Sequence, residues 1–140
     1  MNNKLFIESE LSDENLKIIE DGLRQFNLSK TSEENIPLNV LLKSDDDKII
    51  GGLQGNHNAE WLYINLLWVD STYRGKGYGR KIMLAAEKEA VKKGVTKSYL
   101  QTEHALGFYQ KLGYEIFTVI ENSNSITGFN RYYVKKSLIL

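Results

Sequence analysis

Three glycines at alternate positions, Gly75, Gly77 and Gly79, join an apolar run to a helical stripe. Residues 60–69 before them are rich in aromatic and branched side chains and read as a strand. Behind them, Ile82, Met83, Ala86 and Ala90 share one face and charges occupy the other, an amphipathic helix over residues 77–93. Gly94 follows Lys92 and Lys93 as a natural residue to end that helix. Residues 95–101 then read as another strand. Strand, helix and strand at this spacing call for a parallel pair joined by a crossover.

The remaining elements extend that unit. Residues 4–9 form a short expected strand. Ser12 is a candidate N-cap with acidic residues behind it, and Leu16, Ile19, Leu23 and Phe26 make one apolar helical stripe. Residues 27–36 read as loop or a short helical turn. Residues 38–43, 48–54 and 60–69 make an antiparallel meander, with the cluster Gly55-Asn56-His57-Asn58 as its second turn. Residues 105–112 form a shorter helix stopped by Gly113. Residues 114–120 and 131–138 are late strands around a polar loop, 121–130. The order β-α-β-β-β-α-β-α-β-β is an α+β fold, a mixed central sheet of about seven strands flanked by helices on both faces.

Composition narrows the function. At 140 residues the chain makes one domain, expected to run over 1–140. Lys+Arg and Asp+Glu each number 18, so no basic excess suggests a nucleic-acid partner. With no cysteine there is no disulfide scaffold, thiolate zinc site or cysteine nucleophile, and no metal is expected. The opening residues turn acidic before any secretory apolar run. The most apolar stretch, Trp61–Val69, falls far short of the ~20 residues needed to span a bilayer. No membrane partner and a cytoplasmic location are therefore expected. Charge is uneven along the chain. Residues 1–34 carry four basic and eight acidic side chains, a net of −4, and residues 73–97 carry eight basic and two acidic, a net of +6.

The positive excess surrounds the glycines. Glycine permits positive φ and close approach of the backbone, and the first N–H groups of a helix lack internal partners. Together they make a cradle for phosphate oxygens, with Arg74, Lys76 and Arg80 adding charge. The bland alternatives are an ordinary turn and a solvated helix face. The run is no Walker loop, because the Gly-Lys-Ser/Thr triplet is missing. It is no dinucleotide fingerprint either: the last glycine is misplaced, and Lys97 stands where an acidic residue belongs.

The run Arg74-Gly75-Lys76-Gly77-Tyr78-Gly79 resembles the R/Q-x-x-G-x-G/A signature of the GCN5-related N-acetyltransferases, and it follows a hydrophobic strand as in that family. Gly107-Phe108-Tyr109-Gln110-Lys111-Leu112-Gly113-Tyr114, 28 residues beyond Gly79, resembles the family's F-Y-x-K-L-G-F/Y block. The likeness covers roughly residues 38–138. It implies acetyl-CoA as cosubstrate and a primary amine as acceptor. It implies that Arg74, Gly75, Lys76, Gly77, Tyr78, Gly79 and Arg80 hold the pyrophosphate. The pantetheine arm would pair with the backbone of Leu67, Trp68 and Val69, where the family's fourth strand bulges and splays from the fifth.

Tyr109 matches the tyrosine that the family sets beside the coenzyme sulfur, which implies a general acid; its bland reading is a core aromatic. The family's strand carboxylate falls at Asn65, which cannot take a proton at neutral pH. Glu60, His57, Glu103 and His104 are the substitute bases, each also readable as a surface polar group. The segment Glu103-His104-Ala105-Leu106 is about two residues shorter than the loop of close relatives. With no cysteine, direct attack in a ternary complex is expected. The acceptor is a small amine or antibiotic, a polyamine or a protein amine, and the acidic residues between Glu8 and Glu34 suggest a cationic one. The alternatives are a non-catalytic coenzyme A-binding sensor or partner module, and a nucleotide-binding fold. The late strands offer an edge for a possible homodimer.

Overall fold

The computed structural model describes residues 2–30, 34–122 and 128–139. It divides into two compact units, Met1–Glu34 and Asn35–Leu140. Residues 31–33 of the expected 27–36 loop and 123–127 of the expected 121–130 loop lie outside the described residues.

The first unit is built on one helix, α1 (Asp13–Lys30). Ser12 caps it as expected, its Oγ accepting from the Asn15 N–H at 3.1 Å. Asp13 and Glu14 occupy the first turn, where negative charge suits the helix dipole. The helix runs past residue 27 where a loop was expected, and the Ser29 hydroxyl turns back to bond the Phe26 carbonyl. The expected strand at 4–9 does not form. Leu5, Phe6 and Ile7 are three consecutive exposed apolar residues with no alternation, and a strand without a ladder partner has nothing to satisfy its backbone.

The second unit is a mixed sheet of six strands among the described residues, one fewer than expected. These are β1 (Ile36–Lys43), β2 (Ile49–Asn58), β3 (Trp61–Val69), β4 (Lys97–Thr102), β5 (Glu115–Ile120) and β6 (Arg131–Ser137), in the order β1-β2-β3-β4-β6-β5. Only β3 and β4 run parallel, and α2 (Tyr78–Lys92) makes the crossover between them. The short helix α3 (Leu106–Lys111) connects β4 to β5. Ile82, Met83, Ala86 and Ala90 of α2 and Tyr109 of α3 join Leu38, Leu53, Leu62, Ile64, Leu100 and Val134 of the sheet in one core. Each fully buried large side chain there contributes about 1.5–3 kcal/mol. Both helices end the same way. The N–H groups of Val95 and Tyr114 reach back five residues to the carbonyls of Ala90 and Tyr109, over Gly94 and Gly113 at positive φ.

The segment expected as the second hairpin turn is strand instead: β2 continues to Asn58. Gly55 is there for closeness, since a Cβ at that position would lie 2.6 Å from the Tyr63 carbonyl oxygen. The same place carries a bulge. Gln54 pairs with Leu66 and Gly55 with Ile64, which leaves Asn65 as an extra residue in β3. One inserted residue inverts the alternation. Leu62 and Ile64 face the core before the bulge, Leu67 and Val69 pack against the same core after it, and Leu66 and Trp68 are left exposed.

Candidate active site

The bulge is also where β3 and β4 part. Their ladder covers Trp61 to Ile64 on β3 and Lys97 to Leu100 on β4, and it goes no further. β4 continues to Thr102 alongside β6 alone. Among the described residues the splayed half of β3, which carries Leu67, Trp68 and Val69, has no ladder partner on its β4 side, and the Val69 carbonyl is taken by Arg74 instead.

The chain leaves β3 through Asp70. Its carboxylate accepts from the Thr72 N–H at 3.0 Å and the Thr72 hydroxyl at 2.7 Å, which holds a turn of 3-10 helix over Ser71–Tyr73. The backbone bond to Thr72 is the main reason the Asp70 carboxyl lies below its ordinary pKa. Arg74 then folds back, its Nε donating to the Val69 carbonyl at 2.8 Å. Gly75 and Gly77 follow in left-handed conformation, at φ 77° and 85°, where a side chain would strain the backbone.

Gly77 is the N-cap of α2 and offers no side chain to cap it. The first helical bond is made by Lys81, to the Gly77 carbonyl. Among the described residues, the N–H groups of Gly75, Lys76, Gly77, Tyr78, Gly79 and Arg80 donate no hydrogen bond. Six successive unspent donors at a helix start form a strong anion site.

These groups open on a cleft of about 410 Å³, lined by Leu67, Val69, Tyr73, Arg74, Gly75, Gly77, Tyr78, Gly79, Arg80, Ala105, Phe108 and Tyr109. Of the residues assigned to the coenzyme from sequence, Trp68 and Lys76 are outside this lining. The bulge turns Trp68 to the other face of β3, and the Lys76 ammonium lies over the Tyr73 ring at 5.7 Å. Tyr73, Ala105 and Phe108 were not foreseen. A Cβ at Gly79 would sit 3.2 Å from the Phe108 ring, so α2 and α3 meet closely at a residue without a side chain.

Tyr109 is buried in the cleft wall, its ring 5.0 Å from that of Phe108 and 5.9 Å from that of Tyr114. Among the described residues its hydroxyl makes no hydrogen bond. Burial raises its pKa above the ordinary tyrosine value, so the phenol is protonated at neutral pH.

None of the five positions considered for a base lines the cleft. Asn65 donates to Gln54 Oε1 at 3.0 Å. Glu60 bonds Lys97 Nζ at 3.0 Å, which lowers its pKa, and it stands at the start of β3. His57 is buried opposite Leu62, with Nε2 lacking a partner. Leu62 and Leu67 pair with His57 and Leu53, four positions apart on β2, so Leu62 lies about 14 Å of strand from Leu67. Glu103 lies 3.4 Å from Arg131 Nε and 3.7 Å from His104 Nε2, and the His104 ring meets Phe129 at 4.4 Å. His104 directly precedes Ala105 of the lining, and Glu103 lies two residues before Ala105 as Asn65 lies two before Leu67. Among the described residues no group of His, Asp or Glu could hold a metal ion, and no helix is long and apolar enough to cross a membrane.

Residues 6–114 match the family model described as the GNAT family of acetyltransferases. An acetyltransferase of Agrobacterium fabrum, Atu2258, is 36% identical over 113 residues, spanning 78% of this chain and 82% of that protein. Blasticidin-S acetyltransferase of Streptomyces morookaense is 39% identical over 72 residues, 49% of this chain and 53% of that protein. A crystal structure from Agrobacterium tumefaciens superposes with a TM-score of 0.85 at 31% identity, covering 96% of this chain and 99% of its own. With a cleft whose unspent amides and flanking cations suit a diphosphate, this chain belongs to the GNAT family and is an acetyl-CoA-dependent N-acetyltransferase.

Proposed function

We propose that the chain acts as one acetyltransferase domain that moves the acetyl group directly to the primary amine of a small molecule, with Tyr109 as general acid. The observation that carries the binding half of this reading is the run of six unspent N–H groups from Gly75 to Arg80. They would hold the diphosphate, with Arg74 and Arg80 beside them. The edge of β3 left without a ladder at Leu67, Trp68 and Val69 would pair with the pantetheine arm, Trp68 contributing no side chain and the Val69 carbonyl staying with Arg74. Lys76, turned toward Tyr73, would act through its amide rather than its ammonium.

Bound there, acetyl-CoA supplies an acetyl group activated as a thioester. The chain supplies the rest. A strand N–H near Leu67 to Val69 would meet the oxygen as it gains charge. The protonated Tyr109 hydroxyl, with no partner of its own, would give its proton to the departing sulfur. An alkylamine of pKa ~10.4 is neutral about once in 2,500 molecules at pH 7, a cost of roughly 4–5 kcal/mol. Positioning and exclusion of water in the cleft would offset part of it.

The likeness to blasticidin-S acetyltransferase supports a small amine-bearing acceptor. The test is coenzyme A thiol release with a panel of nucleoside antibiotics, polyamines and lysine peptides. Turnover with a small amine is expected. Turnover with peptides alone would overturn the choice of acceptor. Thermal protection by ATP but not by acetyl-CoA would overturn the site itself.

A further inference from the structure

A buried polar network stands directly behind Tyr109. Glu87 of α2 is 7% exposed, and both its carboxylate oxygens are engaged. Oε1 lies 2.7 Å from Lys136 Nζ on β6, and Oε2 lies 2.8 Å from the Tyr114 hydroxyl. The same hydroxyl lies 2.8 Å from Ser98 Oγ on β4. Tyr114 has one proton for two partners. A carboxylate only accepts, so Tyr114 donates to Glu87 and the Ser98 hydroxyl donates to Tyr114. Ser98 and Lys136 are ladder partners, so the sheet fixes their spacing. The Lys136 stem crosses Gly113 and its ammonium lies over the Tyr114 ring at 5.7 Å. Three elements thus clamp one ring, and that ring meets Tyr109 edge to face.

A buried ion pair is a poor way to gain stability, because apolar side chains of similar volume are often as good or better. What it provides is direction. We propose that Glu87, Tyr114 and Lys136 are positioning residues for Tyr109: their network fixes the ring against which Tyr109 packs, and so fixes its hydroxyl in the cleft. This rests on the reading of Tyr109 as general acid. It does not require any of the three to touch substrate. A shift of about 1 Å at an acid is enough to cost up to ~100-fold in rate.

The test uses Tyr114→Phe, Glu87→Gln, Lys136→Met and Lys136→Arg, each alone and combined with Tyr109→Phe. Kinetics are measured with acetyl-CoA and the amine turned over in the panel. Tyr114→Phe, Glu87→Gln and Lys136→Met should each lower kcat about ten-fold and leave KM for acetyl-CoA within about two-fold. Lys136→Arg should recover most of the loss. In the Tyr109→Phe background the same changes should cost nothing further, since the group they aim is gone. A second readout needs no coenzyme: 3-fluorotyrosine placed at position 109 should give one narrow ¹⁹F line in the parent, displaced or broadened in Tyr114→Phe and Lys136→Met. Lys136 is partly exposed, so its pair of variants decides the matter if Glu87→Gln fails to fold. An unmoved ¹⁹F line, full kcat in the variants, or undiminished losses beside Tyr109→Phe would overturn the positioning role alone. Full turnover in Tyr109→Phe would overturn the acid assignment and this inference with it.

Discussion

Gly79 shows how little room the site leaves at single positions. A methyl there meets the Phe108 ring at 3.2–3.3 Å, in the wall of the cleft. In the second turn-forming position of a helix, alanine should otherwise gain about 1 kcal/mol over glycine. Gly79→Ala is therefore expected to raise KM for acetyl-CoA about ten-fold while the melting temperature holds or rises slightly; an unchanged KM would remove the crowding argument. Tyr109→Phe keeps the ring contacts and deletes only the hydroxyl. It should lower kcat ten-fold or more with acetyl-CoA still bound by calorimetry. The glycine run and Tyr109 stand out in the sequence because each belongs to a short block that resembles one of the family's, and Gly75, Gly77, Gly79 and Tyr109 line the cleft. The base was not legible. Glu60 and His57 look as eligible as Glu103 until the ladder puts them at the far end of β3, and no local pattern records that distance.

At the scale of elements, the cleft depends on one inserted residue. Without Asn65 the β2–β3 ladder would run on unbroken, with Gln54 still opposite Leu66 and Leu53 opposite Leu67, and every side chain would keep its face. What would be lost is the local bend and added twist of the bulge, which turn β3 away from β4 and open the strand to the coenzyme. Deleting Asn65 should therefore abolish acetyl-CoA binding, read by calorimetry, in a protein whose circular dichroism is still that of a folded α+β chain. Retained affinity would show that the bulge does not set the cleft. Element types were mostly legible, since α2 and its crossover follow from apolar periodicity and two terminating glycines. The bulge was not. Gly55-Asn56-His57-Asn58 has the composition of a turn, and only the Tyr63 carbonyl pressed against Gly55 shows why a strand carries it. The failed strand at 4–9 is the converse case, with strand-like residues but no neighbour to pair with.

For the molecule as a whole, the two buried tyrosines tie stability to alkaline pH. Burial raises the pKa of Tyr109, and burial followed by the Glu87 charge raises that of Tyr114 much further. Unfolded, both phenols titrate near pH 10. The folded state thus keeps protons that the unfolded chain releases, and stability falls wherever the folded state binds more protons as pH rises. The contribution is complete below about pH 10 and is lost as pH climbs from there toward the folded values. The informative quantity is the difference between parent and variant. The urea midpoint of the parent should drop steeply between about pH 9 and pH 11.5, and Tyr114→Phe should drop less over the same interval. At pH 8 the variant should be the less stable of the two, because Glu87 and Ser98 lose their shared partner. The two curves should approach each other as pH rises. Parallel curves would mean that Tyr114 ionises in the folded protein as easily as in the unfolded chain, and the clamp behind the cleft would then have no buried proton to hold.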